Sequence, residues 1–187
     1  MMLSNPINED KDFENLNHND FIAEWKWDGI RVQIIIFNNS VTLFSRNGDN
    51  LTHSFPDIKF FSKKNLVIDG ELLVGKSFQP SSFNDLQQRL NRKLVNAKIL
   101  EKYPAFIKVY DIIFYDNKDL RELNLLERRK ILEDWIKSNP NEKVDLSKEI
   151  IFKDWNHLGI LKNKFTNNLE TYEGIMIKQK ISRYESG

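Results

Sequence analysis

The sequence predicts an α+β fold of mainly antiparallel sheets with flanking helices, and three observations carry the prediction. Runs of β-branched and aromatic residues of strand length recur along the chain. Two of them meet at Asn38-Asn39-Ser40, turn-forming residues that suit a hairpin. Stretches with apolar residues at helical spacing are interleaved with the strands, and no internal repeat, linker or low-complexity block interrupts them. The 187 residues amount to about one domain.

Residues 1–20, rich in Asn and Asp, read as a leader that packs loosely, and the domain is expected to occupy 21–187. Strands begin at Phe21. Arg31–Phe37 and Val41–Ser45 form the hairpin, and Leu66–Val74 is the next strand. Ser81 or Ser82 is placed to cap a helix running to about Lys102, ended near Pro104. Phe106–Tyr115 is a strongly apolar strand. Leu125–Lys137 carries Leu125, Leu126, Ile131, Leu132, Trp135 and Ile136 at helical spacing and stops near Pro140. A short strand over Glu149–Lys153, a helix over about His157–Asn167 and a strand over Gly174–Lys180 complete the expectation.

Composition removes several classes of function. With no cysteine there is no disulfide framework, thiolate metal site or cysteine nucleophile, and three histidines argue against a zinc enzyme. Lys+Arg 28 against Asp+Glu 27 leaves a net charge of +1, so a nucleic-acid partner would need a local basic patch. No apolar run reaches transmembrane length, and the N-terminus lacks a basic-then-apolar signal. A soluble, cytoplasmic monomer with no membrane partner is the expectation.

Chemistry concentrates in Glu24-Trp25-Lys26-Trp27-Asp28-Gly29-Ile30-Arg31. In an extended segment Glu24, Lys26 and Asp28 share one face, and Trp25 and Trp27 the other. Gly29 permits a close approach to the backbone. A salt-bridged strand edge explains such a cluster too. A lysine flanked by indoles is also partly desolvated, however, and desolvation turns an amine into a nucleophile.

Lys26-x-Asp28-Gly29-x-Arg31 resembles the first motif of the covalent nucleotidyltransferases: ATP-dependent DNA ligases, RNA ligases and capping guanylyltransferases. Four more segments resemble later motifs in the same order: Ser45-Arg46-Asn47-Gly48, Asp69-Gly70-Glu71, Val109–Ile113 and Glu173–Lys178. Phe83–Lys93, Asp119-Leu120-Arg121 and Leu125–Arg129 are similar to ATP-dependent DNA ligases, specifically bacterial enzymes of the eukaryotic and archaeal replicative type. The resemblance implies a nucleotidyltransferase adenylation domain with an ATP-grasp-like fold. The chain stops after Ser182–Gly187, where relatives continue into a lysine-bearing last motif and an OB-fold domain, so a truncated adenylation domain is expected. An RNA ligase or capping-type enzyme, or a non-catalytic ATP- or DNA-binding fragment, are the alternative readings.

The resemblance also implies roles. Lys26 is the nucleophile that takes AMP from ATP. Glu24 accepts from the adenine amino group, Tyr110 stacks on the base, and Met176 touches its other face. Trp25 belongs to the nucleotide-binding set. Arg31 and Glu71 form a ribose-side pair. Arg46 meets ribose or a DNA 5′-phosphate, and Lys178 meets the α-phosphate. Glu173 is a Mg2+ ligand, either at a bulge near Gly174 or at the start of its strand. Nicked double-stranded DNA is the implied partner, and Arg89, Arg92, Lys93 and Lys98 on the expected long helix form a candidate basic patch; a solvated helical face is the plain alternative.

Overall fold

A computed structural model describes residues 1–90, 92, 95–166 and 171–185. In chain order the elements are α1 (Glu9–Asp12), β1 (Phe21–Trp27), β2 (Ile30–Phe37), β3 (Ser40–Ser45), β4 (Leu66–Lys76), β5 (Gln79–Pro80), α2 (Phe83–Gln87), α3 (Ala97–Lys102), β6 (Ala105–Tyr115), β7 (Lys118–Asp119), α4 (Leu125–Ser138), β8 (Val144–Leu146), α5 (Trp155–Thr166) and β9 (Tyr172–Gln179). The larger sheet runs β3-β2-β4-β6-β7, with β5 beside β4 and β8 beside β6. A second sheet pairs β1 with β9. Among the described strands every pairing is antiparallel except β6 with β8, in keeping with the expected α+β class.

The core gathers apolar side chains of β2, β4 and β6, including Ile34, Ile68 and Ile107, with Leu132 and Trp135 of α4. Burying each such side chain contributes about 1.5–3 kcal/mol. Helix α4 starts where a capping box fixes it. The Asn124 side chain accepts from the Glu127 amide, and the Glu127 carboxylate accepts from the Asn124 amide, both at 3.0 Å.

Two irregularities aim the site. In β6 the register passes from Asp69↔Asp111 to Gly70↔Val109, so Tyr110 is an extra residue and the chain can aim Tyr110 and Asp111 differently. In β9 the register passes from Lys26↔Gly174 to Trp27↔Tyr172, which makes Glu173 the extra residue. Gly174 has φ +148°, a conformation that other residues rarely adopt. Of the two ways of bringing Glu173 towards its neighbours, the bulge is the one the fold uses. Gly29 does allow a close approach, but by β4: an added Cβ would lie 2.6 Å from the Leu72 carbonyl oxygen.

Several expectations need correction. The single helix from Ser81/Ser82 to Lys102 is two short ones, capped by Ser82 and Asn96. The short strand falls at Val144–Leu146. Glu149 makes only an isolated bridge to Glu24, and the Ile150 amide donates to the Ala23 carbonyl at 2.7 Å. Residues 1–20 touch the domain at several points, although none of them is buried. Phe13 stacks on Trp155 at 4.4 Å, Trp155 Nε1 donates to the Leu16 carbonyl, and the Met2 carbonyl accepts from Arg31. Arg89 leaves the basic patch, because it is buried against Asp57. None of the described helices is long and apolar enough to cross a membrane.

Candidate active site

Cross-strand pairs on one face of an antiparallel ladder are close neighbours. The pairs Ile22/Lys178, Glu24/Met176 and Lys26/Gly174 therefore put Glu24, Lys26, Met176 and Lys178 on the same side of the β1–β9 sheet. That side lines a cleft of about 1590 Å³, which Arg31, Arg46, Glu71, Tyr110 and Glu173 also line. Trp25 borders the cleft, but its ring packs on Tyr172 at 4.7 Å, as does the Trp27 ring at 5.0 Å. Glu24 and Lys26 thus share the cleft face as expected, whereas Asp28 lies beyond the end of β1 and does not line the cleft.

The charges in the cleft are paired. Lys26 forms an ion pair with Glu173, and their side chains are 41% and 45% exposed. Lys26 is partly buried, whereas Glu24 on the same face is enclosed. Glu24 is buried, and its Oε1 accepts from Arg129 Nη1 at 2.7 Å and from Lys178 Nζ at 3.1 Å. The Lys178 ammonium also lies 4.5 Å from the centre of the Tyr110 ring. Burial, with Glu71 nearby, pushes the Tyr110 hydroxyl well above its ordinary pKa.

Arg31 and Glu71 are cross-strand neighbours, but the guanidinium bonds elsewhere. Arg31 Nη2 donates to Asp69 Oδ2 at 2.7 Å, and the Tyr184 hydroxyl donates to the same oxygen at 2.6 Å. Burial and Asp69 together push the Tyr184 hydroxyl up to about 12. Burial pushes Glu71 up to about 8, against the pull of Arg31 and Lys26 and with a small push from Asp28. Arg46 stands exposed at the cleft rim with no hydrogen bond or ion pair among the described residues.

Comparison with known proteins decides the family. The model of the ATP dependent DNA ligase domain matches residues 1–187. The chain belongs to this ATP-dependent DNA ligase domain family. It is 35% identical over 172 residues to a DNA ligase of Methanosphaera stadtmanae, covering 89% of this chain and 30% of that protein. It is 34% identical to a DNA ligase of Archaeoglobus fulgidus, covering 88% of this chain and 30% of the relative. The chain thus spans about a third of the length of the relatives it matches. In fold it is similar to mycobacterial DNA ligase D complexed with ATP and MES, at TM-score 0.72 and 22% identity, covering 92% of this chain and 52% of that one. It is similar also to Chlorella virus DNA ligase-adenylate, at TM-score 0.63 and 16% identity, covering 94% of this chain and 58% of that one.

Within this ligase domain the expected basic patch does not form one face. Arg89 is fully buried. It donates to both carboxylate oxygens of Asp57, at 3.0 and 2.5 Å, and to the carbonyls of Tyr103 and Ser54. Its guanidinium also packs 4.7 Å from the Phe55 ring centre, so it is a core ion pair. Arg92 is exposed, its Nε donating to the Gln88 carbonyl, and Lys98 is exposed on α3; Lys93 lies outside the described residues. Sequence reading gave no role to Arg128 and Arg129. Both are buried, Arg128 on Asp111 at 2.8 and 3.0 Å and Arg129 on Glu24. The signal was their spacing: they sit three and four residues after Leu125 and four and three before Leu132, on the apolar face of α4.

Proposed function

We propose that this chain takes AMP from ATP onto Lys26, and that the whole ligase passes it to the 5′-phosphate of nicked DNA for sealing. The observation that carries the reading is the convergence, in one cleft, of Lys26 with Glu24, Tyr110, Met176, Lys178 and Glu173. In the first step the uncharged Lys26 amine attacks the α-phosphorus. The N–P bond forms, the bond to pyrophosphate breaks, and lysyl-AMP remains. Before that the ammonium must leave Glu173 and lose its proton to solvent, which reaches the half-exposed pair. Such transfers depend on positioning and on neutralising phosphate charge. Adenine would stack on Tyr110 and donate to Glu24, with Met176 on its other face, and Arg31 and Glu71 would flank the ribose. In the second step the exposed Arg46, Arg92 and Lys98 are candidates for DNA phosphate contacts.

The residues present fit Mg2+. No group of three or more acidic or histidine side chains forms a cage among the described residues. Mg2+ needs none, since it takes one or two carboxylates together with substrate phosphates and water. Glu173, half-exposed in the cleft, is the carboxylate that would meet that requirement. Bound there, the metal would offset charge on the phosphates.

The test uses α-labelled ATP with Mg2+ and a denaturing gel. Label should stay on the native chain and be absent from a folded Lys26→Ala variant. Label on Lys26→Ala, no label on the folded native chain, or equal labelling from GTP would each overturn the reading.

A further inference from the structure

The two cations on Glu24 are held very differently. Arg129 is 3% exposed and held by two hydrogen bonds and three carboxylates. Beyond Glu24, its Nη2 donates to the Ser147 carbonyl at 2.8 Å, and its Nε lies 2.7 Å from Glu149 and 3.3 Å from Glu133. Moving it would strand a buried carboxylate. Lys178 has a 21% exposed side chain on a flexible stem. Its described polar contact is Glu24 Oε1 at 3.1 Å, and its ammonium rests 4.5 Å from the Tyr110 ring centre. A part-exposed ion pair and a cation–π contact are both weak enough to be exchanged.

Those two contacts are the ones adenine takes in the adenylation reading, and the inference rests on that reading. The base would lie on the Tyr110 ring and donate its amino group to Glu24. The Lys178 ammonium does both in the free protein, covering the ring and donating to the carboxylate. We propose that Lys178 occupies the adenine subsite until adenine displaces it towards the α-phosphate, while Arg129 keeps Glu24 in place as the acceptor.

Both cations bind Glu24 through Oε1, and Oε2 accepts no hydrogen bond among the described residues. When Lys178 leaves, Glu24 stays anchored by Arg129 and offers a free oxygen. A base that presents a carbonyl in place of the amino group sets an acceptor against Glu24 at that position and does not displace the ammonium. The α-phosphate contact then forms only with the right base, which couples base choice to chemistry at a residue that touches both.

Adenosine separates this idea from a simple phosphate role, because it carries the base without phosphates. Calorimetric titration of adenosine into the native chain and into Lys178→Met is the measurement. If the ammonium fills the subsite most of the time, its removal should tighten adenosine binding about 3- to 10-fold, since apparent affinity scales with the fraction of open sites. In the same variant lysyl-AMP formation from ATP should fall about 100-fold or more, the usual scale for one lost transition-state contact. Lys178→Gln provides the same comparison should the methionine variant fold poorly. Equal or weaker adenosine binding by the folded variant overturns the displacement idea and leaves the adenylation reading standing. Adenosine binding to neither folded protein overturns both.

Discussion

Glu71 gives the fold a pH dependence that can be worked out in advance. Burial raises its carboxyl from 4.5 to about 8, although Arg31 and Lys26 pull the other way. The folded state therefore holds this proton more tightly than the unfolded chain does. Stability from this group is fully present below about pH 4.5 and is lost as pH rises through about 8. At about 1.4 kcal/mol per pH unit the whole interval is worth at most about 5 kcal/mol. Between pH 6 and 9 the loss is about 2–3 kcal/mol. Glu71→Gln keeps the shape of the protonated acid and has no proton to lose. Urea unfolding of both proteins at pH 6, 7.5 and 9 should show the variant gaining on the native chain by that amount. Parallel curves would mean that Glu71 is ionised in the folded protein at no cost, and the reasoning from burial would be wrong.

Two other outcomes are expected from the geometry. Tyr110→Ala should weaken ATP binding by about 1–3 kcal/mol, the scale of a base stacked on an aromatic ring; an unchanged dissociation constant by calorimetry would remove Tyr110 from the base contact. Arg89→Ala should lower unfolding free energy by about 3–5 kcal/mol, because it removes the buried guanidinium that joins Asp57 to the Ser54 and Tyr103 carbonyls; an unchanged urea midpoint would mean that the pair holds nothing together.

The hairpin, the long apolar strand and the first helix after Asn124 were legible because each is governed by local pattern. The β-branched run of Arg31–Phe37, turn residues at Asn38-Asn39, and an apolar stripe from Leu125 each point one way. The cleft residues were legible for another reason, since the motif order supplied them all at once. What sequence could not supply was partnership. Arg89 looked like one of several surface cations, yet Asp57, thirty-two residues earlier, takes it into the core. Arg129 looked like a helix residue, yet it closes on Glu24, 105 residues away. Pairing of that kind depends on how β1 and α4 meet in space, and no local periodicity encodes it. The division of Ser82–Lys102 into two helices was missed as well, although Asn96 carries the capping chemistry that starts the second.

The choice of cation in the cleft separates what stays from what moves. Arg31 sits on Asp69, which is 0% exposed, and Arg129 sits on Glu24, which is 1% exposed. Opening either pair would take the guanidinium away from a buried carboxylate, a cost of several kcal/mol. The planar, always-charged guanidinium suits that fixed duty. Lys26 and Lys178 hold their carboxylates on flexible stems near solvent, and the Lys26–Glu173 pair is exposed on both sides. An exposed pair is worth about 0–1 kcal/mol and opens easily. On the proposed chemistry the lysines are the groups that must change partner, one to lose a proton and attack, the other to follow the phosphate. Opening the Lys26 pair would also free the Glu173 carboxylate, which could then hold a metal. Replacing either lysine by arginine would keep the charge and remove that exchange, so the fold would survive and the reaction would not.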